Sequence, residues 1–377
     1  MDEFYILEIN LKTTSKLSRY QVIVLLIWTI TSTGLLVMPT GIGHFTTQDG
    51  WLVPIPFFLG ACLSAAISQV FVRTFPGQSF TQAMESALGK GPGKVVNLWW
   101  AIWLYLFGCM IMRELNLFLE TTVFHNIHLY LISAVMLLPL AYSTYLGFIA
   151  TARIGELLLP IFTISMLFTI PVSFQNFDWN QLNPVLAEGI SPVWQASVVP
   201  VFGIVVLMLM LLQFVPYLEH PQKIGRDFLI VGASLSAFGI IVEALVIGTL
   251  GDSVRYLQYP LLEIVRSVRI GDYLERLDTI YVMGIVAIIF IKLSFIQYTL
   301  LLSLKDLFHL PTIRHIALAS LGAVWSGNIF LFRDSADLTQ YMIFVAPVYV
   351  FFTLVVLPMA AIFVRIFRKI LVLNCFR

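Results

Sequence analysis

Residues 31–39 read TSTGLLVMP, inside an apolar run that begins at Val22. In hydrocarbon every backbone N–H and C=O must be satisfied within the protein. Proline removes a donor and glycine loosens the backbone. Gly34 and Pro39 therefore weaken the first long apolar segment of the chain. A membrane helix keeps such a flaw where loosened backbone has a use. The stretch predicts a broken membrane helix, and the rest of the sequence is read outward from that expectation.

Composition supports a polytopic membrane protein. Of 377 residues, 59% are hydrophobic and 11% charged, and 30 are Phe, against about 45–50% apolar and about 25% charged in soluble chains. The net charge of +1 and the lack of a basic run give no reason to expect nucleic acid. Cys62, Cys109 and Cys375 are far apart. Cys62 and Cys109 fall in apolar runs and read as small buried hydrophobes. No disulfide framework, metal spacing or cofactor motif is present, and the first 18 residues lack the apolar core of a signal peptide.

A spanning helix needs about 20 mostly apolar residues. Ten such runs occur, at roughly 20–43, 51–72, 95–119, 128–146, 147–173, 198–218, 228–251, 279–304, 312–332 and 341–367. The fourth and fifth are nearly continuous and are divided near Gly147. With the N-terminus inside, fifteen Lys and Arg fall on the cytoplasmic side and five outside, which predicts both termini inside. The loop at 174–197 has Asp178 and Glu188 but no Lys or Arg. The connection from Asp252 to Asp278 contains YPLLEIVRSVRI, with Leu261, Leu262, Ile264, Val265, Val268 and Ile270 at helix-like spacing. It predicts a short amphipathic helix over 259–276, either packed on the outer surface or acting as a lid.

Ten helices fit five plus five. The predicted units are a cytoplasmic segment 1–18, a first repeat 19–173, an outer loop 174–197, a second repeat 198–367 and a tail 368–377. In inverted-repeat transporters the flawed helices of the two halves point to the binding site. The sixth run, PVFGIVVLMLMLLQFVP, opens the second half and carries Pro200, Gly203 and Pro216. The fold class expected is thus an all-α integral membrane protein with broken helices 1 and 6.

SRYQ at 18–21, DGWL at 49–52, FPGQSF at 75–80, LGKGPGK at 88–94, Arg113, and above all YPLLEIVRSVRIGDYLERLD at 259–278 carry a family likeness. In this order and spacing the chain resembles the membrane-spanning B subunits of bacterial spore germinant receptors. These form the spore-germination permease family of the amino acid–polyamine–organocation transporter superfamily. The resemblance implies a nutrient-sensing subunit in the inner membrane of the spore, working with an A subunit and a lipoprotein C subunit. It implies a small germinant: an amino acid, sugar or nucleoside. One departure is Ser32, where relatives often have a second glycine two residues before Gly34.

Candidate site residues follow from the break. Ser32, Thr33 and Gly34 would present backbone and hydroxyls to a ligand; the alternatives are small-residue helix packing and hydroxyls bonded to their own helix. Gly203 is the matching position in the sixth run. Lys292 lies midway through VMGIVAIIFIKLSFIQY, where a charge costs about 2.5–3.5 kcal/mol to insert. It reads as an anchor for a ligand carboxylate, a proton-sensitive group, or half of a structural ion pair. Glu243, in SAFGIIVEALVIG, is its candidate partner. Arg113 and Glu114 are adjacent and about 100° apart on a helix, so each is expected to pair elsewhere. The likeness at Arg113 favours a structural or subunit-coupling role. Glu156 reads as a partly hydrated carboxylate at the inner end of the fifth run.

In LWWAIWLYLFG, Trp99 and Trp100 suit the interfacial aromatic belt. Trp103 and Phe107, one turn apart, either wall a pocket or pack; pocket-lining draws on the superfamily's use of the third helix. Enzyme readings fail. His125 and His128 have no third ligand nearby, and LGKGPGK lacks the GK[ST] ending of a phosphate loop. Three functions remain: a germinant-binding receptor subunit, a proton- or cation-coupled amino-acid transporter of the same fold, and a structural scaffold for a receptor complex.

Overall fold

The structure is a computed structural model, and it describes residues 16–124, 127–267 and 277–375. Ser18 opens the first helix with a capping box: its hydroxyl accepts from the Gln21 backbone N–H at 3.2 Å while the Gln21 side chain accepts from the Ser18 N–H at 3.0 Å. This satisfies two of the orphan donors that a helix start leaves. Helix α1 (Arg19–Leu36) is separated by Val37 from a short continuation, α2 (Met38–Gly43). After a 3₁₀ turn at Gly50–Leu52 follow α3 (Pro54–Thr74), the short helix α4 (Phe80–Leu88), α5 (Lys90–Thr122), α6 (Leu129–Leu146) and α7 (Phe148–Ser173).

The sixth span is composite. It runs through α8 (Ser191–Val198), a π-helical turn at Val199–Ile204 and a 3₁₀ run at Val205–Tyr217. Then come α9 (Ile224–Leu250), α10 (Pro260–Ser267), α11 (Leu277–Phe308) and α12 (Arg314–Phe330). The last span joins α13 (Ser335–Gln340), α14 (Ala346–Phe351) and α15 (Leu357–Cys375) through π-helical turns at Tyr341–Val345 and Phe352–Val356. No strand occurs among the described residues.

Nine helical segments among the described residues are long and apolar enough to cross a membrane. The remaining predicted run, the ninth at 312–332, holds α12, which at 17 residues is one residue shorter than the shortest of these nine and starts on Arg314 and His315. The turn between the fourth and fifth spans falls at Gly147, whose φ of +97° is one that side-chain-bearing residues avoid. The described part of the predicted amphipathic segment is helical and buries Leu261, Leu262, Ile264 and Val265; Val268 to Arg276 lie outside the described residues, as do residues 1–15 and His125.

Several boundaries differ from the sequence reading. The sixth span begins at Ser191 rather than 198, and the preceding stretch holds 3₁₀ turns at Phe174–Asn176 and Trp179–Leu182. The first helix does not break at Ser32–Gly34. It stays helical to Leu36, with Val37 N–H donating to Thr33 O at 2.9 Å and Gly41 N–H to Val37 O at 2.8 Å. The break falls at Val37 because Pro39 has no N–H to give Leu35 and its ring crowds the preceding turn; glycine alone merely weakens. Trp100 is not in an interfacial belt but fully buried, its indole N–H donating to Ser303 Oγ at 2.8 Å, while Trp99 donates to Thr353 Oγ1 at 3.1 Å.

On the face that the Lys/Arg distribution predicts to be inner, residues 17–19 strap the bundle. Leu17 pairs in parallel with Leu218 through Leu17 N–H to Tyr217 O (2.8 Å) and Glu219 N–H to Leu17 O (3.1 Å). Arg19 Nε donates to Asp227 Oδ1 at 2.6 Å. On the same side Asp306 of α11 accepts from Ser79 Oγ (2.7 Å), Thr81 Oγ1 (2.6 Å) and Gln213 Nε2 (3.3 Å). The FPGQSF stretch thus ties α4 to the sixth and eighth spans. On the outside, α6 and α7 leave Leu138, Leu157, Ile161, Ile164 and Leu167 exposed, the apolar surface a lipid-facing helix presents.

Candidate functional site

Helix α11 packs on both α1 and α5, which brings three sequence motifs to one place. Thr33, four residues before the break, accepts a hydrogen bond from the ammonium of Lys292, which is 0% exposed. The Lys292 Nζ lies 5.5 Å from the centroid of the Phe107 ring, within cation–π range. Phe107 stacks on Trp103 at 5.2 Å with 8° between the planes, and Trp103 on Trp100 at 5.4 Å. A small cavity opens beside Thr33 and Phe107, lined also by Val37, Met110, Gly203 and Met342. Its free volume is about 10 Å³, roughly the room that one water needs.

Of the predicted site residues, Thr33, Phe107 and Gly203 line this cavity and Lys292 reaches its edge. Trp103 lies behind Phe107. Ser32 does not present its hydroxyl: Ser32 Oγ donates to Thr29 O at 3.3 Å, the back-bonding available to any helical serine. Gly34 lies off the cavity, with no heavy atom within 4 Å of where a Cβ would stand.

The charges pair differently from the sequence expectation. The carboxylate that acts electrostatically on Lys292 is Glu114, not Glu243. Glu243 is buried on α9, one turn from Gly239, which faces Pro54 and Met38, and one turn from Ile247, which faces Gly50. Sequence adjacency of the seventh and eighth spans does not make their polar faces meet. Arg113 turns away from the cavity and donates to the Arg333 carbonyl at 2.9 Å. Glu156 is half-buried and accepts from Gln21 Nε2 at 3.4 Å.

Glu114 itself is 4% exposed, and neither of its oxygens has a hydrogen-bond partner among the described residues. Seven residues from Phe107, it lies two turns, about 10 Å, outward on the same face of α5. Four residues further, Phe118 meets Tyr259 edge-on at 5.0 Å. Burial pushes the Tyr259 phenol up from its ordinary value, and the Glu114 charge pushes it the same way, so this tyrosine stays neutral. Tyr259 precedes α10, so the most family-specific stretch of the sequence closes the strip above Glu114.

The sequence reading missed the tenth span's share of the wall, Met342 and Ala346. Its one signal was Pro347, against which Gly203 packs: a Cβ there would lie 3.3 Å from Pro347 Cγ. It also left Glu114 without a role, although the seven-residue spacing from Phe107 places both on one face. Chemically, the arrangement offers a buried cation, a buried unbonded carboxylate, an aromatic wall and two interrupted helices. Among the described residues no His/Cys/Asp/Glu group has metal-site geometry.

A family model described as "Spore germination protein" matches residues 16–335. Two similar proteins are both from Bacillus subtilis (strain 168). Spore germination protein KB is 22% identical over 304 residues, covering 78% of this chain and 79% of that protein. Spore germination protein A2 is 24% identical over 373 residues, covering 95% and 98%. Among solved structures the chain is similar to Mhp1, a nucleobase-cation-symport-1 family transporter in a closed conformation with bromovinylhydantoin bound. The TM-score is 0.63 at 11% identity, covering 88% of this chain and 75% of Mhp1. The permease family and the transporter fold agree with the first-helix flaw that began the reading, and with a match over residues 16–335 the chain belongs to the spore germination protein family.

Proposed function

We propose that the protein is the membrane-embedded sensing subunit of a spore germinant receptor, binding a small germinant at the cavity between the first, third, sixth, eighth and tenth spans. On this reading it sits in the inner membrane of the spore with both termini cytoplasmic. The halves 19–173 and 198–367 act as the two repeats, and the signal passes to A and C subunits. One observation carries the reading: a fully buried lysine in the eighth span donates to Thr33 at the break of the first span, against the Phe107 face of the third. A charge at that depth is costly and marks a functional site by default. The cavity is too small for a germinant as it stands, so entry requires the surrounding helices to part. A ligand that prefers the parted state shifts the population by its differential affinity.

A coupled transporter of the same fold is the second reading, supported by the likeness to a cation symporter and by an intramembrane lysine able to stand in for a cation. A structural scaffold has no use for the Thr33–Lys292 arrangement. Binding and vesicle uptake, measured on the purified chain alone and with its A and C partners, separate the three. Saturable binding without uptake supports the receptor, uptake by the isolated chain supports the transporter, and neither leaves the scaffold. In the receptor, Thr33→Val changes the germinant response; an unchanged response removes the cavity from the mechanism.

A further inference from the structure

Lys292 and Glu114 are opposite charges, both buried, and they do not touch. Among the described residues no ion pair within 4.0 Å joins them. Lys292 spends one of its three donors on Thr33. Glu114 spends none of its acceptor capacity among the described residues. Two other buried acids of the bundle are answered within it: Asp227 by Arg19 at 2.6 Å and Asp49 by the Leu186 N–H at 2.8 Å. An isolated carboxylate in an apolar interior is costly unless a cation meets it, and among the described residues both oxygens of Glu114 lack such a partner.

The spacing indicates what that partner is. Glu114 stands two turns beyond Phe107, the ring under Lys292, with Met110 of the cavity wall between them. Charge-assisted hydrogen bonds run about 2.7–2.9 Å. A small molecule held between the two side chains would make one such bond at each end. A neutral sugar or nucleoside would give Lys292 no anion and Glu114 no cation. A molecule carrying both charges at its two ends neutralises each.

We propose that Glu114 is a ligand-binding residue: its carboxylate receives the ammonium group of a zwitterionic amino acid whose carboxylate is held by Lys292, and the pair selects for molecules bearing both charges. The proposal rests on the reading of the midplane cavity as the germinant site. Phe118 and Tyr259 cover the ammonium end.

The test uses the full chain purified in lipid nanodiscs. The probes are the common L-amino acids, the N-acetyl and carboxamide derivatives of each one that binds, inosine and D-glucose. Binding is read by thermal shift and by calorimetric Kd. At least one free amino acid should bind saturably, and blocking either its amine or its carboxyl should weaken binding at least 100-fold. Glu114→Gln, a neutral isostere, should weaken the free amino acid 10- to 100-fold without loss of monodispersity. The derivative series reads the same selectivity on the wild-type chain should that variant fold poorly. Unchanged amino-acid affinity in Glu114→Gln overturns the proposal, as does the absence of saturable binding by every free amino acid. Inosine or glucose binding that is lost in Ala346→Leu, which narrows the cavity, but kept in Glu114→Gln overturns the zwitterion and leaves the germinant site standing. Amino-acid binding that survives Ala346→Leu undiminished overturns both.

Discussion

The pairing of Lys292 with Glu114 makes a stability prediction that needs no ligand. Each single substitution balances two large opposing terms. Lys292→Met removes a charge whose insertion costs about 2.5–3.5 kcal/mol, yet it leaves Glu114 with no counter-charge, a defect of about 3–5 kcal/mol in buried pairs. Glu114→Gln does the converse to Lys292, which keeps its bond to Thr33. The singles therefore leave small residuals, and only the double-mutant cycle isolates the interaction. The two groups lie outside direct ion-pair contact; unit charges about 5–10 Å apart at an effective dielectric of about 20 attract by about 2–3 kcal/mol. The cycle of wild type, Lys292→Met, Glu114→Gln and the double variant should give a coupling of about 2–3 kcal/mol. It is read from reversible unfolding in mixed detergent–lipid micelles at low and high salt. Buried groups are screened little, so the coupling should hold as salt rises. Additivity within about 0.5 kcal/mol would show that the two charges do not sense one another and refute the geometry.

Arg19→Ala should loosen the inner strap: with the three native cysteines replaced, Ala346→Cys should react with a membrane-impermeant maleimide from the inner side faster than in the Arg19 background. Because Arg19 is 31% exposed, the pair itself contributes only about 0–1 kcal/mol, so a several-fold rate change is expected rather than full opening. Trp100→Phe keeps the aromatic ladder but strands Ser303 without its donor, and should cost about 1 kcal/mol in the same unfolding assay. Gly232→Ala drives a Cβ into the Ala61 Cβ, so α3 and α9 must separate; a loss of about 1–3 kcal/mol is expected, with relief in Gly232→Ala paired with Ala61→Gly.

Much of the fold was legible because hydrocarbon imposes it. Apolar length, the Lys/Arg asymmetry and a proline in each critical span are local signals, and they located ten segments and the turn at Gly147. What the sequence concealed was rotational. Whether Ser32 or Thr33 faces the cavity depends on 100° of helix rotation, and the hydroxyl chemistry of the two is the same. Glu243 and Glu114 are both mid-span acids; only the packing of α11 against α5 selects Glu114. The flaw in the first helix is carried by both Gly34 and Pro39 in the sequence, but Pro39 decides the place of the break. Trp100 resembled an interfacial residue until the Ser303 hydroxyl, 203 residues away, gave its indole a partner in the core.

Whether a ligand is carried or only felt turns on the two closures around the cavity. The inner one consists of a two-bond β-bridge at Leu17–Leu218 and the half-exposed Arg19–Asp227 pair. The outer one is built of Phe118, Tyr259 and the buried face of α10. A transporter must open both in turn at similar cost. A sensor needs to open one and to transmit its movement. The inner closure has few bonds and small net worth, and it is made by the end of the sixth span, whose 3₁₀ run of 13 residues rises about 2.0 Å per residue against about 1.5 Å in an α-helix. Relaxation of that run to α-helix would shorten it by about 6 Å, enough to pull Leu218 from Leu17. A ligand that favours the relaxed form about 10⁴-fold would turn a 1:99 population into 99:1. The sixth span joins the cavity at Gly203 and Leu207 to the strap at Leu218, so in the proposed sensor one change of helix type would report occupancy at the far face without any passage of the ligand.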